Sequence, residues 1–209
     1  MIEKTANKST ESYTQVNLID QGCLVPVFSG GPGGGKSSLA NRIAALFNVP
    51  VVSAGTILRE KHKVLYPDGA VSFEDWYGTQ NGKSVKTLND EIKTIFESGK
   101  VVGESRFVGH FDAPKCLFVY VDAAIAIKAE RLSKDKNRSD YYGKSVEEVS
   151  QILKRRTLDE TKVAEELAQL YGIGSTYDYK DPKHYHLYLN SGILSLEEEV
   201  EKVLAMMEK

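Results

Sequence analysis

Gly30-Gly31-Pro32-Gly33-Gly34-Gly35-Lys36-Ser37 decides the fold of this chain. The run satisfies G-x-x-x-x-G-K-S/T and stands between a short apolar stretch at 24–28 and a segment with Leu39, Ile43, Leu46 and Phe47 at helical spacing. Strand, glycine loop and helix in that order form a phosphate cradle. Glycine permits positive φ and lets successive N–H groups approach phosphate oxygens, and the helix adds its positive end. Gly30 to Gly35 with Ser38 are therefore expected to hold the phosphates of ATP. Lys36 is expected to reach the β- and γ-phosphates, and the Ser37 hydroxyl to bind Mg²⁺. A guanine-reading Asn-Lys-x-Asp run is absent from the sequence. Asp140-Tyr141-Tyr142-Gly143 fits a switch-like D-x-x-G but lies in a polar loop, where that short pattern says little.

Outward from the loop, apolar β-rich runs at 24–28, 51–53, 101–103, 117–121 and 186–189 alternate with helical stretches. This predicts an α/β protein: a P-loop NTPase fold of three layers, α/β/α, around a five-stranded parallel sheet. Pro26 counts against the first run as a central strand because it has no N–H to give, but the glycine loop behind it outweighs the objection. Val85, Leu88, Ile92, Ile95 and Phe96 form a second amphipathic stripe. Ser145 with Glu148 and Ser195 with Glu198 have capping-box spacing, so helices are expected to start near 145 and 196. The stretch 133–145 is polar and basic with no apolar stripe and predicts an exposed loop.

The 209 residues suit one domain, 22–209, behind a polar and frayed leader, 1–21. With 27 Lys+Arg against 29 Asp+Glu the net charge is -2, so no global field draws the chain to nucleic acid or an anionic bilayer, and any phosphate site must be local. No apolar run approaches the ~18 residues of a membrane span. The amino terminus lacks a secretory core, so a cytoplasmic monomer is expected, with no nucleic-acid or membrane partner. Cys23 and Cys116 are too few for a disulfide framework and read as small buried hydrophobes.

Behind the first helix stands Val51-Val52-Ser53-Ala54-Gly55-Thr56-Ile57-Leu58-Arg59-Glu60. Further on come Val101-Val102-Gly103-Glu104-Ser105-Arg106-Phe107-Val108-Gly109, Val121-Asp122-Ala123 with Lys128 to Arg131, Tyr171-Gly172-Ile173, and a late strand ending Asn190-Ser191. In these segments the chain resembles the archaeal-type cytidylate kinases, a branch of the P-loop nucleoside monophosphate kinases. That family carries S-A-G-x-I-F/L-R-E about fifteen residues after its P-loop, and later V-V-x-E-G-R-x-x-G. The resemblance runs from residue 23 to 205, strongest in the first third and weakest over 61–98 and 133–165.

The resemblance implies transfer of the γ-phosphoryl group of MgATP to a nucleoside monophosphate, CMP or dCMP first. It places a helical acceptor-binding insertion at 55–98 and a lid at 133–145. Arg59 and Arg106 are implied as the acceptor's arginines, with Ser53 and Gly55 beside them. The chemistry agrees: a phosphate carries roughly -1.5 to -2 charges near neutral pH and suits the guanidinium fork, although either arginine could instead serve an ion pair. Glu104 ends a strand where open α/β sheets put their crevice, and could hold Mg²⁺ through water, fix Arg106, or act as an ordinary salt-bridge partner. Ser105 replaces the family's glycine.

A loose phosphoryl-transfer transition state needs cations closing over it, and Arg131, Arg138, Arg155 and Arg156 flank or occupy the lid; a solvated charge run is the plainer alternative. No general base is needed, because the acceptor oxygen is already anionic. Arg155 and Lys162 keep a seven-residue interval of the family, but Val163 stands where it has tyrosine. In the family, acidic residues on the helix after the acceptor segment help recognise cytosine; those places fall near Val85 and Asn89, with Asp90 adjacent, and a changed pocket can change the base.

Phe73, Trp76 and Tyr77 could stack on a base or fill a core. His184-Tyr185-His186 would put two imidazoles on one face of a strand without a third ligand, and His62 and His110 stand alone. The alternatives are a P-loop kinase for another small acceptor, a nucleotide or a phosphorylated metabolite, and a non-catalytic ATP-binding regulatory protein. Two acceptor arginines argue against the last.

Overall fold

The computed structural model describes residues 16–108, 112–174 and 177–208, apart from the side chain at 74. The His110 and Gly109 expectations lie outside these residues, as does the leader up to residue 15. From residue 16 the chain is bound to the body: Leu18 is fully buried and its N–H donates to Gly99 O at 2.7 Å. The expected fraying of the leader therefore does not extend over 16–21.

Five parallel strands form one sheet. They are β1 (Val25–Ser29), β2 (Val51–Ser53), β3 (Val102–Glu104), β4 (Cys116–Asp122) and β5 (Leu187–Asn190), in the order β2-β3-β1-β4-β5. Every residue of β1 is buried, so Pro26 does sit in the central strand. Its missing N–H costs little. Val25 N–H donates toward β4, to Lys115 O, so residue 26 points its nitrogen to the other side, where pairing with β3 begins only at Val27 opposite Gly103.

Helices α1 (Lys36–Phe47) and α7 (Leu196–Met207) pack on the sheet and on each other. The stretch 55–98 folds as α2 (Ala54–Leu65), α3 (Phe73–Gly78) and α4 (Gly82–Phe96). α4 lays Phe96 against Gly103 of β3, where a Cβ would come within 2.8 Å of the ring. α5 (Ile125–Lys134) leads through turns into α6 (Val146–Tyr171), which packs on both α4 and α5. Both expected capping boxes form, at Ser145/Glu148 and Ser195/Glu198.

Three expectations from the sequence pattern fail. Leu46 is 48% and Ile95 39% exposed, outside the buried stripes of α1 and α4. The loop over 133–145 is not wholly exposed: Tyr141 is buried among Ala129, Leu132, Val149 and Leu153, because one aromatic suffices to pin a polar loop and leaves no periodicity to read. Cys116 is buried, which pushes its thiol up to about 12, whereas Cys23 is half-buried. No helix of the described residues is long and apolar enough to cross a membrane.

Candidate phosphoryl-transfer site

The sheet order reverses at β1, so the crevice opens beyond its carboxyl end, at the glycine loop. Gly30 holds φ 133° and lies so close to Val121 O that a Cβ would meet it at 2.1 Å; Gly35 caps α1 at φ 94°. These are conformations that a side chain opposes. The loop from Gly31 through Gly33 and Gly34 to Ser38, with Arg131, Leu132, Asp135 and Arg138 opposite, walls a cleft of about 340 Å³.

Next to it lies a smaller pocket of about 60 Å³, lined among others by Pro32, Gly55, Arg59, Asn89, Glu104 and Arg106. Lys36 and Arg138 line both. At this seam Lys36 Nζ stands 3.1 Å from Glu104 Oε1. Burial pushes the Lys36 ammonium below the ordinary lysine range although Glu104 pulls it up. Burial would raise the Glu104 carboxyl, but Lys36 and a hydrogen bond from Ser37 hold it below the usual carboxylate range. Glu104 is thus an anion touching both the lysine and the hydroxyl of the loop.

Arg106 follows β3 into the pocket. It pairs with Glu160 of α6, while its buried Nε has no hydrogen-bond partner among the described residues. Glu160 Oε1 also accepts from Arg156 Nε at 2.9 Å, and Oε2 accepts from Tyr179 OH at 3.0 Å. Burial alone would raise this carboxyl; Arg106 and Arg156 hold it low. Arg156 also donates to Tyr141 OH at 3.1 Å, so the pinned loop and the pocket share one polar network. Sequence reasoning missed Glu160, Tyr141 and Tyr179. The spacing of Arg156 and Glu160 was the available signal, since residues four apart meet on a helix.

Arg59 donates to Gly55 O at 3.1 Å and lies over the Phe73 ring at 5.1 Å; Arg156 lies over Tyr77 at 4.8 Å. Phe73 and Tyr77 line the pocket and hold its arginines, whereas Trp76 is buried against His62. Ser53 closes β2 just before Ala54 and Gly55 of the pocket wall.

Three residues stand apart from their expected places. Arg131 is not over the seam: it donates to Gly33 O at 3.2 Å and to Ser191 Oγ and O at 2.8 and 2.7 Å, at the outer wall of the larger cleft. Arg155 is exposed and faces a cleft between α3 and α6 with Asp75 and Asp159; Arg156 borders both this cleft and the pocket, whereas Arg155 does not reach the pocket. Asp90 is exposed and binds Lys86 Nζ at 2.6 Å and Tyr171 OH at 2.9 Å, outside the pocket that its neighbour Asn89 lines.

Among the described residues, His62, His184 and His186 form no metal-ligand group. His184 ends a 3₁₀ turn, so it and His186 do not share a strand face, and His186 Nδ1 accepts from Phe118 N–H at 2.9 Å. Among the described residues no group of three or more His, Cys, Asp or Glu could hold a metal. A Mg²⁺ ion carried by a triphosphate asks less of the protein, and the Ser37 hydroxyl beside an ionised Glu104 supplies the hard oxygens it prefers.

No family model matches the chain. It is 28% identical over 180 residues to a cytidylate kinase of Pyrobaculum arsenaticum, covering 85% of this chain and 89% of that protein. It is also 28% identical over 170 residues to a cytidylate kinase of Pyrococcus horikoshii, covering 80% of each. Among solved structures it superposes on a shikimate kinase from Bacteroides thetaiotaomicron at TM-score 0.52 and 17% identity, over 87% of this chain and 97% of that one. A shikimate kinase from Acinetobacter baumannii gives TM-score 0.51 and 14% identity, over 90% and 94%. The fold is that of the P-loop kinases.

Proposed function

We propose that this P-loop kinase is a nucleoside monophosphate kinase, transferring the γ-phosphoryl group of MgATP to CMP or dCMP. One observation carries the reading: the P-loop lysine stands at a seam between two clefts, and the smaller of them holds a buried arginine, Arg106, whose Nε has no partner among the described residues. Similarity to cytidylate kinases over most of the chain supports it.

ATP lies along the glycine loop with its γ-phosphate at the seam, where Lys36 exchanges Glu104 for phosphate oxygens. Ser37 and, through water, Glu104 would hold Mg²⁺, which would supply neutralisation of the phosphate charge. Arg59 and Arg106 hold the acceptor phosphate, Nε of Arg106 taking the oxygen it now lacks. An acceptor oxygen, already anionic, bonds to the γ-phosphorus as the bond to the β–γ bridging oxygen breaks. Arg138, which faces both clefts, and Arg156 meet the charge on the transferring group. The segments 55–98 and 133–145 move to admit the acceptor, since small-molecule sites commonly span ~300–1,000 Å³.

Stimulation of ADP formation by a panel of monophosphates with Mg²⁺ tests this. CMP or dCMP is expected to stimulate most. The size of the pocket, about 60 Å³, favours a second reading, a kinase for a smaller phosphorylated acceptor. Stimulation by such a compound alone would select it, and no stimulation by any acceptor would leave an ATP-binding protein without transfer.

A further inference from the structure

Glu160 is 3% exposed on α6, and its carboxylate is tied from three sides. Oε1 accepts from Nη1 of Arg106 and from Nε of Arg156, the latter at 2.9 Å. Oε2 accepts from Tyr179 OH at 3.0 Å. Tyr179 is held in turn: its ring meets Phe107 of the acceptor pocket edge-on at 5.2 Å, and its carbonyl takes the hydroxyl proton of Tyr185 at 2.6 Å. Nothing in the transfer step uses this carboxylate, although it touches one arginine that holds the acceptor and one that meets the transferring group. A guanidinium is flat, with N–H groups paired along its edges. Nη1 and Nη2 share the end edge, whereas Nε and Nη2 share the side edge. By taking Nη1, Glu160 closes the end edge of Arg106 and leaves the side edge, whose buried Nε has no partner among the described residues. The backbone of Arg106 is fixed as well, because its carbonyl accepts from Ser29 Oγ at 2.7 Å.

We infer that Glu160 is a positioning residue for the transfer: one carboxylate oxygen sets both guanidinium planes, so that the acceptor phosphate docks on the side edge of Arg106 at a fixed offset from Arg156. The inference rests on the monophosphate kinase reading and adds to it the group that aligns the two arginines. Glu160 lines neither the loop cleft nor the acceptor pocket, so it acts through the arginines and not on a substrate. Both arginines bind the same atom, and a displaced carboxylate therefore misaligns the acceptor and the transferring group together. A misplacement of ~1 Å lowers a rate by about 10²-fold. For this task the reach of the side chain matters more than its charge, since the acceptor phosphate itself brings negative charge to the arginines.

Two substitutions separate reach from charge. Glu160→Gln keeps the reach and an oxygen that accepts two hydrogen bonds, whereas Glu160→Asp keeps the charge and is one methylene shorter. Positioning predicts that Glu160→Asp lowers kcat by about 10²-fold and Glu160→Gln by less than about 10-fold, with the KM for ATP unchanged in both. A counterion that only stabilises the fold gives the reverse order, because aspartate still balances the buried arginines and glutamine does not. Tyr179→Phe is the gentler variant: it leaves the carboxylate charged and at full reach but unties Oε2, and is expected to lower kcat several-fold at unchanged KM for ATP. Inorganic phosphate, titrated without ATP, gives a readout independent of transfer. The Nε–H resonance of Arg106, identified by its loss in Arg106→Lys, is expected to shift in the parent and to lose most of that shift in Glu160→Asp. That pattern without ADP formation from any acceptor would sink the kinase reading and keep the inference. Transfer with an unmoved resonance, with the order of the Gln and Asp variants reversed, or, where either of them does not fold, with a parent-like kcat in Tyr179→Phe, would overturn the inference and keep the kinase reading.

Discussion

Lys36 of α1 and Glu104 at the end of β3 face each other at 3.1 Å, their side chains 11% and 10% exposed. The lysine that is to meet phosphate already has an anion as partner, and that anion also binds Ser37. Substitution separates the two roles. Lys36→Ala is expected to abolish transfer, by at least about 10³-fold in kcat. Glu104→Gln is expected to lower kcat by about 10- to 100-fold and to raise the Mg²⁺ concentration needed for half-maximal rate. An unchanged Mg²⁺ requirement in Glu104→Gln would remove Glu104 from the metal site.

The division of the site predicts different kinetics for two arginines. Arg106→Ala should raise the acceptor KM and lower kcat while ATP binding is largely kept, since Arg106 lines the acceptor pocket and not the loop cleft. Steady-state titration of each substrate in turn checks it. An equal loss of ATP affinity in Arg106→Ala and Lys36→Ala would refute the division.

Arg138 and Arg155 were both read as lid arginines, and the structure separates them. Arg138 faces both clefts, so Arg138→Ala is expected to cost about 10²-fold in kcat. Arg155 faces the groove beyond α6, so Arg155→Ala should stay within about twofold of the parent rate. Matching losses in the two variants would return Arg155 to the site.

Helix phase explains why that distinction escaped the sequence. In α6 the buried positions are Val149, Leu153, Arg156, Glu160, Ala164, Leu167 and Ala168, a stripe in which Arg156 is the only arginine. The stripe was readable, but charged members disguised it. In α4 the same logic puts Asn89, four residues after Val85, on the buried face and Asp90 off it. The glycine loop, the strand alternation and the capping boxes were legible because each depends on neighbours in sequence. The pairings of Arg106 with Glu160 and of Tyr171 with Asp90 span 54 and 81 positions and need the fold itself.

Glu199 offers a stability prediction. It lies buried on α7, its Oε1 has no partner among the described residues, and burial raises its carboxyl to about 7 against a weaker pull from Arg131. The folded state thus keeps a proton that the unfolded chain releases from about pH 4.5 upward, so this group costs stability increasingly as pH rises to about 7, and no further above it. Glu199→Gln should match the parent near pH 4 and exceed it by ~1–3 kcal/mol at pH 8 in urea unfolding. A gain that does not grow with pH would contradict the assignment.

The central claim is that the γ-phosphoryl group passes to a monophosphate. Incubating the protein with γ-labelled ATP, Mg²⁺ and CMP, and separating the products, tests it most directly. The label is expected in CDP, and in CDP only when Lys36 and Arg106 are intact. Label appearing solely as inorganic phosphate, in the same amount with and without CMP, would contradict it.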